Sequence, residues 1–317
     1  MLELFEFDHG TPPGSFVKSL YLSSALLLIM GRPDSARAPA KRTLMVIPAS
    51  LTSDTPHLRE KTYRIGMVGR AAAIFRVDEI VIYPDLTTDQ ARDAELIRLI
   101  LSYMETPQYL RRRLFRIVRE LRYVGILPPL RTPHHLPRAE GLRVGEFREG
   151  LVVRVTDKGS LVDVGVDRPV LVPLRRPLLE RVTVKITRAG GRPTGSIVGR
   201  DDVPYYWGYS VRVARLPLGE LVRREMGDLL IVSTSRYGRV ITDLLDEMRS
   251  ALSRSRGVAV LFGSPREGLF EILYREGASP ADISDFTVNV VPHQGTRTVR
   301  TEEAIYAFFS IFNALVR

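Results

Sequence analysis

Hydrophobic and polar positions in the first half of the chain predict strands that alternate with helices. Thr43 to Pro48 and Glu79 to Tyr83 are short apolar runs next to a proline, as in buried parallel strands. Between them, apolar residues at helical spacing predict a helix, with Asp54 as its N-cap and Pro56 in its first turn. A second helix is predicted from Thr88 to Met104. Alternation of this kind predicts a parallel sheet with right-handed crossovers.

The pattern changes after Pro128, where a proline-rich connector is followed by short β-rich runs. Five runs within about 60 residues predict a small barrel: LVVRVT, SLVDVGV, PVLVPL, RVTVKIT and GSIVGR. The α/β pattern then resumes. The later elements are predicted strands at Asp228 to Ser233, Gly257 to Phe262 and Phe286 to Val291, and helices near Ile241 to Ser253, Arg266 to Glu276 and Thr301 to Val316.

These elements predict one α/β domain that is interrupted by a barrel. Residues 1–140 would form its N-terminal part, residues 141–200 the inserted β-barrel, and residues 201–317 its C-terminal part. The predicted fold class is therefore α/β, with a parallel sheet and a small inserted barrel domain.

Composition adds a strong positive charge and removes thiol chemistry. The 317 residues carry a net charge of +10, and all but five of the 46 basic residues are arginines. Arginine suits phosphate recognition, so a polyanion is a natural partner, although a solvated basic surface is the alternative. The absence of cysteine excludes disulfides and zinc ribbons. We also expect no metal at His134 and His135, because adjacent side chains diverge and no third ligand accompanies them.

Nothing in the pattern predicts a membrane protein. The most apolar run, Leu20 to Met30, is about half of the ~20 residues that a membrane helix needs. Glu3, Glu6 and Asp8 stand where a signal peptide would be positive, and we therefore expect a cytoplasmic protein.

The last three predicted strands each lead into a small, polar loop that contains glycine. These loops are TSRYGR (234–239), GSPREGL (263–269) and PHQGTRTVRTEEA (292–304). Ligands bind outside the carboxyl ends of parallel strands, so three such loops predict one pocket for a ligand resembling a nucleotide. Tight turns are the alternative for any single loop. The chain has no GxGxxG after its first strand and no GxxxxGK[ST], which disfavours the usual dinucleotide and P-loop sites.

Three segments resemble the motifs of the SPOUT superfamily of RNA methyltransferases, in particular an archaeal and eukaryotic subgroup with an inserted OB-like barrel. They are RIGMVGRAAAIFRVDEIVIY (64–83), VAVLFGSPREGL (258–269) and FTVNVVPHQGTRTVRTEEAI (286–305). The resemblance implies a C-terminal trefoil knot, a homodimer and S-adenosylmethionine as cofactor. It places these residues around the cofactor: Thr234, Ser235, Gly238, Phe262, Gly263, Gly268, Leu269, Val291, Gln294, Gly295 and Thr298.

The resemblance also suggests catalytic residues. Arg70 matches an arginine that lies beside the methyl donor in much of the superfamily, although Arg64 replaces the asparagine of that motif. Arg300 and Glu302 open the last helix, and Glu302 is a candidate proton acceptor if a ring nitrogen is methylated. For Glu302, a role in complementing the helix dipole is as well supported as catalysis.

Basic residues outside the loops suggest where RNA binds. The run from Tyr109 to Arg122 is predicted as one helix with a stripe of Leu110, Leu114, Ile117, Val118 and Leu121. The predicted RNA-binding residues are Arg64, Arg111, Arg112, Arg113, Arg116, Arg154 and Lys158. The aromatic cluster Tyr205, Tyr206, Trp207 and Tyr209 is expected to pack at a hinge or in the core rather than against bases.

Taken together, the sequence predicts an S-adenosylmethionine-dependent RNA methyltransferase. Methylation of a base in ribosomal RNA, at N3 of a uridine, is preferred because of the subgroup that the chain resembles. The alternatives are a tRNA base or ribose 2′-O methyltransferase, and a non-catalytic RNA-binding factor for ribosome assembly.

Overall fold

A computed structural model describes residues 41–86, 88–136 and 141–317. The apolar run Leu20 to Met30 and the rest of residues 1–40 lie outside this range. Between residues 41 and 317, none of the described helices has the length and apolarity needed to cross a membrane.

The first half of the described chain contains both α/β units and barrel strands. In chain order its elements are β1 (Arg42–Pro48), α1 (Leu58–Ile74), β2 (Glu79–Tyr83), α2 (Ala91–Glu105), α3 (Gln108–Leu114), two 3₁₀ turns (Arg119–Leu121 and Val124–Ile126), β3 (Phe147–Thr156), β4 (Gly159–Asp163) and β5 (Val170–Val172).

The second half completes the barrel and returns to the α/β body. Its elements are β6 (Arg181–Arg188), β7 (Thr194–Val198), a 3₁₀ turn (Arg200–Asp202), β8 (Ser210–Val213), α4 (Leu218–Glu225), β9 (Leu230–Val240), a 3₁₀ turn (Ile241–Leu244), α5 (Leu245–Arg254), β10 (Gly257–Leu261), α6 (Leu269–Arg275), α7 (Pro280–Ile283), β11 (Phe286–Asn289) and α8 (Thr301–Leu315).

Six strands form a parallel sheet in the order β11-β9-β10-β1-β2-β8. Along β1, Met45 and Ile47 face a core that includes Phe308 of α8, whereas Leu44 and Val46 face a second core that contains Leu218 of α4. Helices therefore cover both faces of the sheet, which explains why β1 and β2 are almost continuously apolar.

The other five strands close into a barrel in the order β3-β4-β5-β7-β6, with β6 paired back to β3. Its interior is almost entirely β-branched, formed by Val152, Val162, Val164, Val170, Val172, Val182, Val184 and Ile186. Short strands can close around such a core because branched side chains fill a narrow interior while the ladder hydrogen bonds are satisfied. The predicted fold class, a parallel sheet with a small barrel, is confirmed.

Local predictions failed where distant contacts decide the conformation. The single helix predicted over residues 109–122 is wrong, since α3 ends at Leu114 and Ile117 is completely exposed. Asp54 is not the N-cap of α1, because His57 takes that position and Asp54 binds Arg64 instead. The hydrophobic pattern predicts neither the edge strand β8 nor helix α4.

A buried carboxylate joins the sheet body to the barrel. Glu105, at the end of α2, is 4% exposed. Its Oε2 accepts a hydrogen bond from Arg181 Nη1 of β6 at 2.6 Å, and its Oε1 accepts one from Arg200 Nη2 at 2.9 Å. His134 of the connector places Nε2 3.3 Å from the same Oε1. Burial would raise the pKa of Glu105, but the Arg181 charge and the hydrogen bonds outweigh it and hold that pKa well below its usual range.

The same arginine continues the network into the barrel. Arg181 Nε donates to Glu149 Oε2 of β3 at 2.8 Å, and Trp207 Nε1 donates to the other oxygen of Glu149 at 2.6 Å. Trp207 and Tyr209 are 4% and 1% exposed, so the aromatic cluster does pack in the hinge and core, as predicted. Connector, barrel and sheet thus meet at one network of ion pairs and hydrogen bonds.

Glu105→Gln should lower the free energy of unfolding by about 3 kcal/mol, because it leaves the partly buried Arg181 and the more exposed Arg200 without their shared buried carboxylate. Urea unfolding at pH 7 measures this loss. Glu95→Gln, which breaks the exposed pair of Glu95 with Arg98, is the matched control and should cost less than about 1 kcal/mol.

The pH dependence should follow from the lowered pKa of Glu105. The stabilisation is complete above the unfolded-state value of 4.5 and is lost as pH falls through the folded-state value. The difference in the free energy of unfolding between the wild type and Glu105→Gln should therefore become smaller below pH 4.5. Equal losses for Glu105→Gln and Glu95→Gln at pH 7 would contradict the structural role of this carboxylate.

Candidate active site

A cleft opens where β10 and β11 end, beside residues 234–237 of β9. It encloses about 940 Å³, including space open to solvent. Its walls come from a bulge within β9, from the loops that follow β10 and β11, and from the starts of α6 and α8. The lining residues are Thr234, Ser235, Arg236, Tyr237, Phe262, Gly263, Ser264, Pro265, Arg266, Glu267, Gly268, Glu271, Asn289, Val290, Val291, Gln294, Arg297, Thr298, Val299, Thr301 and Ala304. The three predicted glycine-containing segments therefore converge on one cleft, but the first of them, residues 234–239, lies inside β9 and is not a loop after it.

The first wall is a wide bulge in β9. Thr287 of β11 pairs with Ser233, but the next residue, Val288, pairs with Arg239, so residues 234–238 have no opposite residue on β11. Gly238 closes this bulge against β11, because a Cβ there would lie only 2.6 Å from the Thr287 carbonyl oxygen. The bulge directs its side chains into and over the cleft.

The second wall, residues 262–268, is a tight loop held by its own hydrogen bonds. Ser264 N donates to the Glu267 carbonyl at 2.8 Å, and Glu267 N donates back to Ser264 Oγ at 3.0 Å. A Cβ on Gly263 would lie 3.0 Å from both the Glu267 carbonyl oxygen and Gly268 Cα. From below, the buried Tyr83 hydroxyl donates to the Phe262 carbonyl at 2.8 Å.

The third wall, residues 290–300, is fastened to the other two. Thr301 Oγ1 donates to the Gly263 carbonyl at 2.9 Å, and Arg236 Nη1 donates to the Arg297 carbonyl at 3.2 Å. Within this loop, Gln294 Nε2 donates to the Thr296 carbonyl at 2.9 Å. The side chain of Gln294 thus shapes the loop from inside.

Most of the predicted cofactor residues meet in this cleft. Thr234, Ser235, Phe262, Gly263, Gly268, Val291, Gln294 and Thr298 line it. Gly238, Leu269 and Gly295 do not. Gly238 supports the bulge from behind, Leu269 is fully buried in the core, and Gly295 has open space around it.

Several charged residues of the cleft had not been singled out in the sequence. Arg236, Arg266 and Arg297 lie in its walls together with Glu267 and Glu271. Glu267 forms a salt bridge of 2.5 Å with Arg275, outside the wall. The signal was present, since each of these arginines stands within two residues of a loop glycine or serine.

The three predicted catalytic residues do not line the cleft of their own chain. Arg70 Nη1 donates to the carbonyls of Pro129 and Leu130, both at 2.8 Å, and so holds the connector. Glu302 is 8% exposed, and both of its oxygens accept hydrogen bonds from Arg64 at 2.9 and 3.1 Å. Arg300 is exposed at the N-cap of α8.

Two of the predicted RNA-binding arginines are occupied inside the protein. Arg64 is 6% exposed and is shared between Glu302 and Asp54, which corrects the expectation that it lies on an RNA-binding surface. Its pKa is raised, because the hydrogen bonds of these two carboxylates outweigh the lowering effect of burial. Arg111 lies over the Tyr103 ring and donates to the Thr106 carbonyl at 2.8 Å, so it is directed inward.

The other predicted RNA-binding residues remain on the surface. Arg112, Arg113, Arg116, Arg154 and Lys158 are exposed. Arg112 and Arg113 line a groove of about 2110 Å³, including space open to solvent, between α3, the connector and the barrel. Arg113 also reaches Asp163 of β4, with Nε 3.1 Å from Oδ2.

Comparison with known proteins identifies the family. A family model described as "Putative RNA methyltransferase" matches residues 42–312. The chain belongs to this family. No group of three or more His, Cys, Asp or Glu side chains placed to hold a metal ion occurs in the described part of the methyltransferase.

Individual relatives match along most of their length. A Haloarcula marismortui protein is 33% identical over 84% of this chain and 96% of its own. The 28S rRNA (uridine-N(3))-methyltransferase of Homo sapiens is 31% identical over 82% of this chain and 75% of its own, and the Mus musculus enzyme of the same name is 32% identical over 82% and 73%. A solved AdoMet-bound rRNA methyltransferase from Sinorhizobium meliloti matches 89% of this chain and 60% of its own at 11% identity, with a TM-score of 0.32, which is too low to support an argument.

Gly238→Ala should destabilise the methyltransferase by about 1–3 kcal/mol, because the new Cβ would overlap the backbone of Thr287 and Val288. Urea unfolding tests this. Gly227→Ala is the matched control, since nothing lies within 4 Å of its Cβ position, and it should change stability by less than about 0.5 kcal/mol. A Gly238→Ala protein as stable as the control would contradict the close contact of β9 and β11.

Proposed function

We propose that this methyltransferase transfers the methyl group of S-adenosylmethionine to N3 of a uridine in ribosomal RNA. The observation that carries the proposal is the cleft, in which the β9 bulge and the glycine-containing loops after β10 and β11 are fastened to one another. The choice of uridine N3 and of ribosomal RNA follows the human and mouse relatives, which are named 28S rRNA (uridine-N(3))-methyltransferase.

The cleft has the features that the cofactor requires. Gly263 and Gly268 keep side chains out of the second wall, so backbone amides and carbonyls can approach an adenine or a ribose. Thr234, Val291, Gln294 and Thr298 complete the proposed cofactor-binding walls, and Phe262 closes the floor. The trefoil knot implied by the motifs remains part of the proposal.

When bound, S-adenosylmethionine supplies an electrophilic methyl group on a sulfonium, so the protein's task is to align and activate the accepting nitrogen. The neutral imide of uridine is a poor nucleophile until it loses its N3 proton. Arg236, Arg266 and Arg297 bring positive charge to the cleft, which favours the imide anion that remains when the N3 proton passes to water. The bond from N3 to the methyl carbon then forms as the bond from that carbon to the sulfonium sulfur breaks, and the charge on both partners is lost. We assign Glu302 a supporting role, since its carboxylate is already held by Arg64.

For RNA, we propose a path from the groove beside α3 to the cleft. Arg112 and Arg113 line the groove, and Arg154 and Lys158 extend the basic surface along the barrel. We treat residues 141–200 as an inserted OB-like domain, and its five-stranded closed order supports this. Ring stacking on the barrel is not part of the proposal, because Phe147 is 8% exposed. A cytoplasmic homodimer completes the proposed organisation.

The purified methyltransferase should bind S-adenosylmethionine in a calorimetric titration and should transfer tritiated methyl to ribosomal RNA from a strain that lacks the gene. Mapping of the label should give a uridine. Gly263→Val should weaken cofactor binding by at least about tenfold, because its side chain would push against the Glu267 and Gly268 backbone, whereas Gly227→Val should bind normally. Absence of binding by the wild type would refute the assignment of the cleft.

Arg70 lies outside the cleft of its own chain, so we propose that it acts at the cleft of a second copy. Arg70→Ala and Gly263→Val should each lose most methyl transfer alone, and a refolded mixture of the two should recover part of it. In a mixed dimer, one intact cleft would face one intact Arg70. If the mixture recovers no methyl transfer although both variants are folded and dimeric, Arg70 does not act at a second cleft. Its role would then be limited to its hydrogen bonds with the connector.

A further inference from the structure

An exposed aromatic ring stands at the mouth of the cleft. Tyr237 lies in the β9 bulge, lines the cleft and is 63% exposed. Large aromatic side chains usually stabilise a protein through the apolar surface that they bury. This ring is mostly exposed and adds little stability in that way. Its position therefore needs an explanation other than packing of the core.

The ring is nevertheless held in place. Phe270 of α6 contacts it edge to face, with ring centroids 6.0 Å apart and an angle of 82°. The Arg236 guanidinium lies 4.8 Å from the ring centroid, and Arg236 Nη2 donates to the Tyr237 hydroxyl at 2.6 Å. Since Arg236 also donates to the Arg297 carbonyl, the ring is connected to the opposite wall of the cleft.

The surroundings of the ring carry a net positive charge, because three arginines share the cleft walls with Glu267 and Glu271 and Glu267 is paired with Arg275. Arg236, Arg266 and Arg297 lie in the same walls, and none of them forms a salt bridge with a carboxylate in the part of the chain that the structure describes. A supported, exposed ring next to unneutralised arginines matches the chemistry of single-stranded nucleic acid, which combines stackable bases with phosphates.

We propose that Tyr237 is a stacking platform for an unpaired RNA base at the entrance of the cleft, with Arg236 as the positioning residue that holds the ring. The inference rests on the proposed function and adds to it the form of the substrate. A base cannot reach a cleft inside a protein while it is paired, so the target nucleotide must leave its helix, and a ring at the entrance offsets part of the lost stacking.

The test compares Tyr237→Ala, Tyr237→Phe and Tyr237→Trp with the wild type in steady-state methylation of ribosomal RNA. Tyr237→Ala should lower kcat/KM for RNA roughly 5- to 150-fold, the range expected for loss of one base–aromatic stack. The affinity for S-adenosylmethionine, measured by calorimetry, should stay unchanged. Tyr237→Phe and Tyr237→Trp retain a ring and should keep most of the activity.

Tyr274→Ala is the matched control. Tyr274 belongs to the neighbouring helix α6, is 82% exposed and does not line the cleft, so its removal should leave kcat/KM unchanged. A second experiment measures how kcat/KM of Arg266→Gln for RNA changes with salt concentration. Its dependence on salt should be weaker than that of the wild type by roughly 0.7 in log–log slope, as expected for one lost phosphate contact on a single strand.

The possible failures are distinguishable. If the wild type neither binds S-adenosylmethionine nor methylates RNA, the proposed function itself fails. If the wild type is active and Tyr237→Ala is equally active, only the stacking platform is overturned. A Tyr237→Ala variant with weaker cofactor binding would make the ring a wall of the cofactor site, and a change of oligomeric state in sedimentation would make it an interface residue; either result overturns the proposal.

Discussion

The position of the barrel relative to the sheet depends on the ion pairs and hydrogen bonds of the Glu105 carboxylate. Two arginines from the barrel side and a histidine from the connector surround it, and Arg181 passes the contact on to Glu149 inside the barrel. A buried charge is costly unless every partner is in place, so such a network specifies one geometry more strictly than an apolar contact would. The barrel is consequently held at a defined position relative to the sheet that carries the cleft. Any RNA bound along the barrel would approach the cleft from a defined direction.

The cleft depends on a second constraint, the close approach of backbone segments at the ends of three neighbouring strands. Gly238 lets β9 come within contact distance of β11 after the bulge, and Gly263 lets residues 262–268 fold back on themselves. Side chains then join the walls, through Thr301 to Gly263 and through Arg236 to Arg297. The space between the loops is therefore preformed, which reduces the cost of ordering them around a ligand.

Sequence patterns predicted the elements whose conformation is decided locally or by simple burial. Strands β1 and β2 and the barrel strands are predictable because their apolar runs are bounded by prolines and turns, and the segments that line the cleft are predictable from their glycines and the family motifs. The roles of Arg64 and Glu302 could not be predicted in this way, because their pairing joins residues 238 positions apart in the chain. An arginine that is paired with carboxylates in the interior has the same sequence pattern as an exposed arginine that can bind a phosphate.

The prediction for the region after α2 was wrong for a related reason. The run from Tyr109 to Arg122 has good helix formers, but Arg111 bonds back to the end of α2 and the chain turns away after Leu114. The short edge strand β8 has only four residues and carries little periodicity of its own. In both places the conformation is set by neighbours that a pattern along the chain does not contain.

The order of strands in the sheet has a consequence for how the chain folds. β1 lies between β2 and β10, yet β10 follows β1 by about 215 residues, and the barrel is synthesised in between. The widest pairing in the barrel, Phe147 with Lys185, spans 38 residues, far fewer than separate β1 from β10, so this part can form while the long side of β1 still lacks its partner. Until residue 257 leaves the ribosome, a strand that is apolar on both faces has an open edge. We therefore expect folding to be slow at this step, with a partly folded species that chaperones would recognise by that edge.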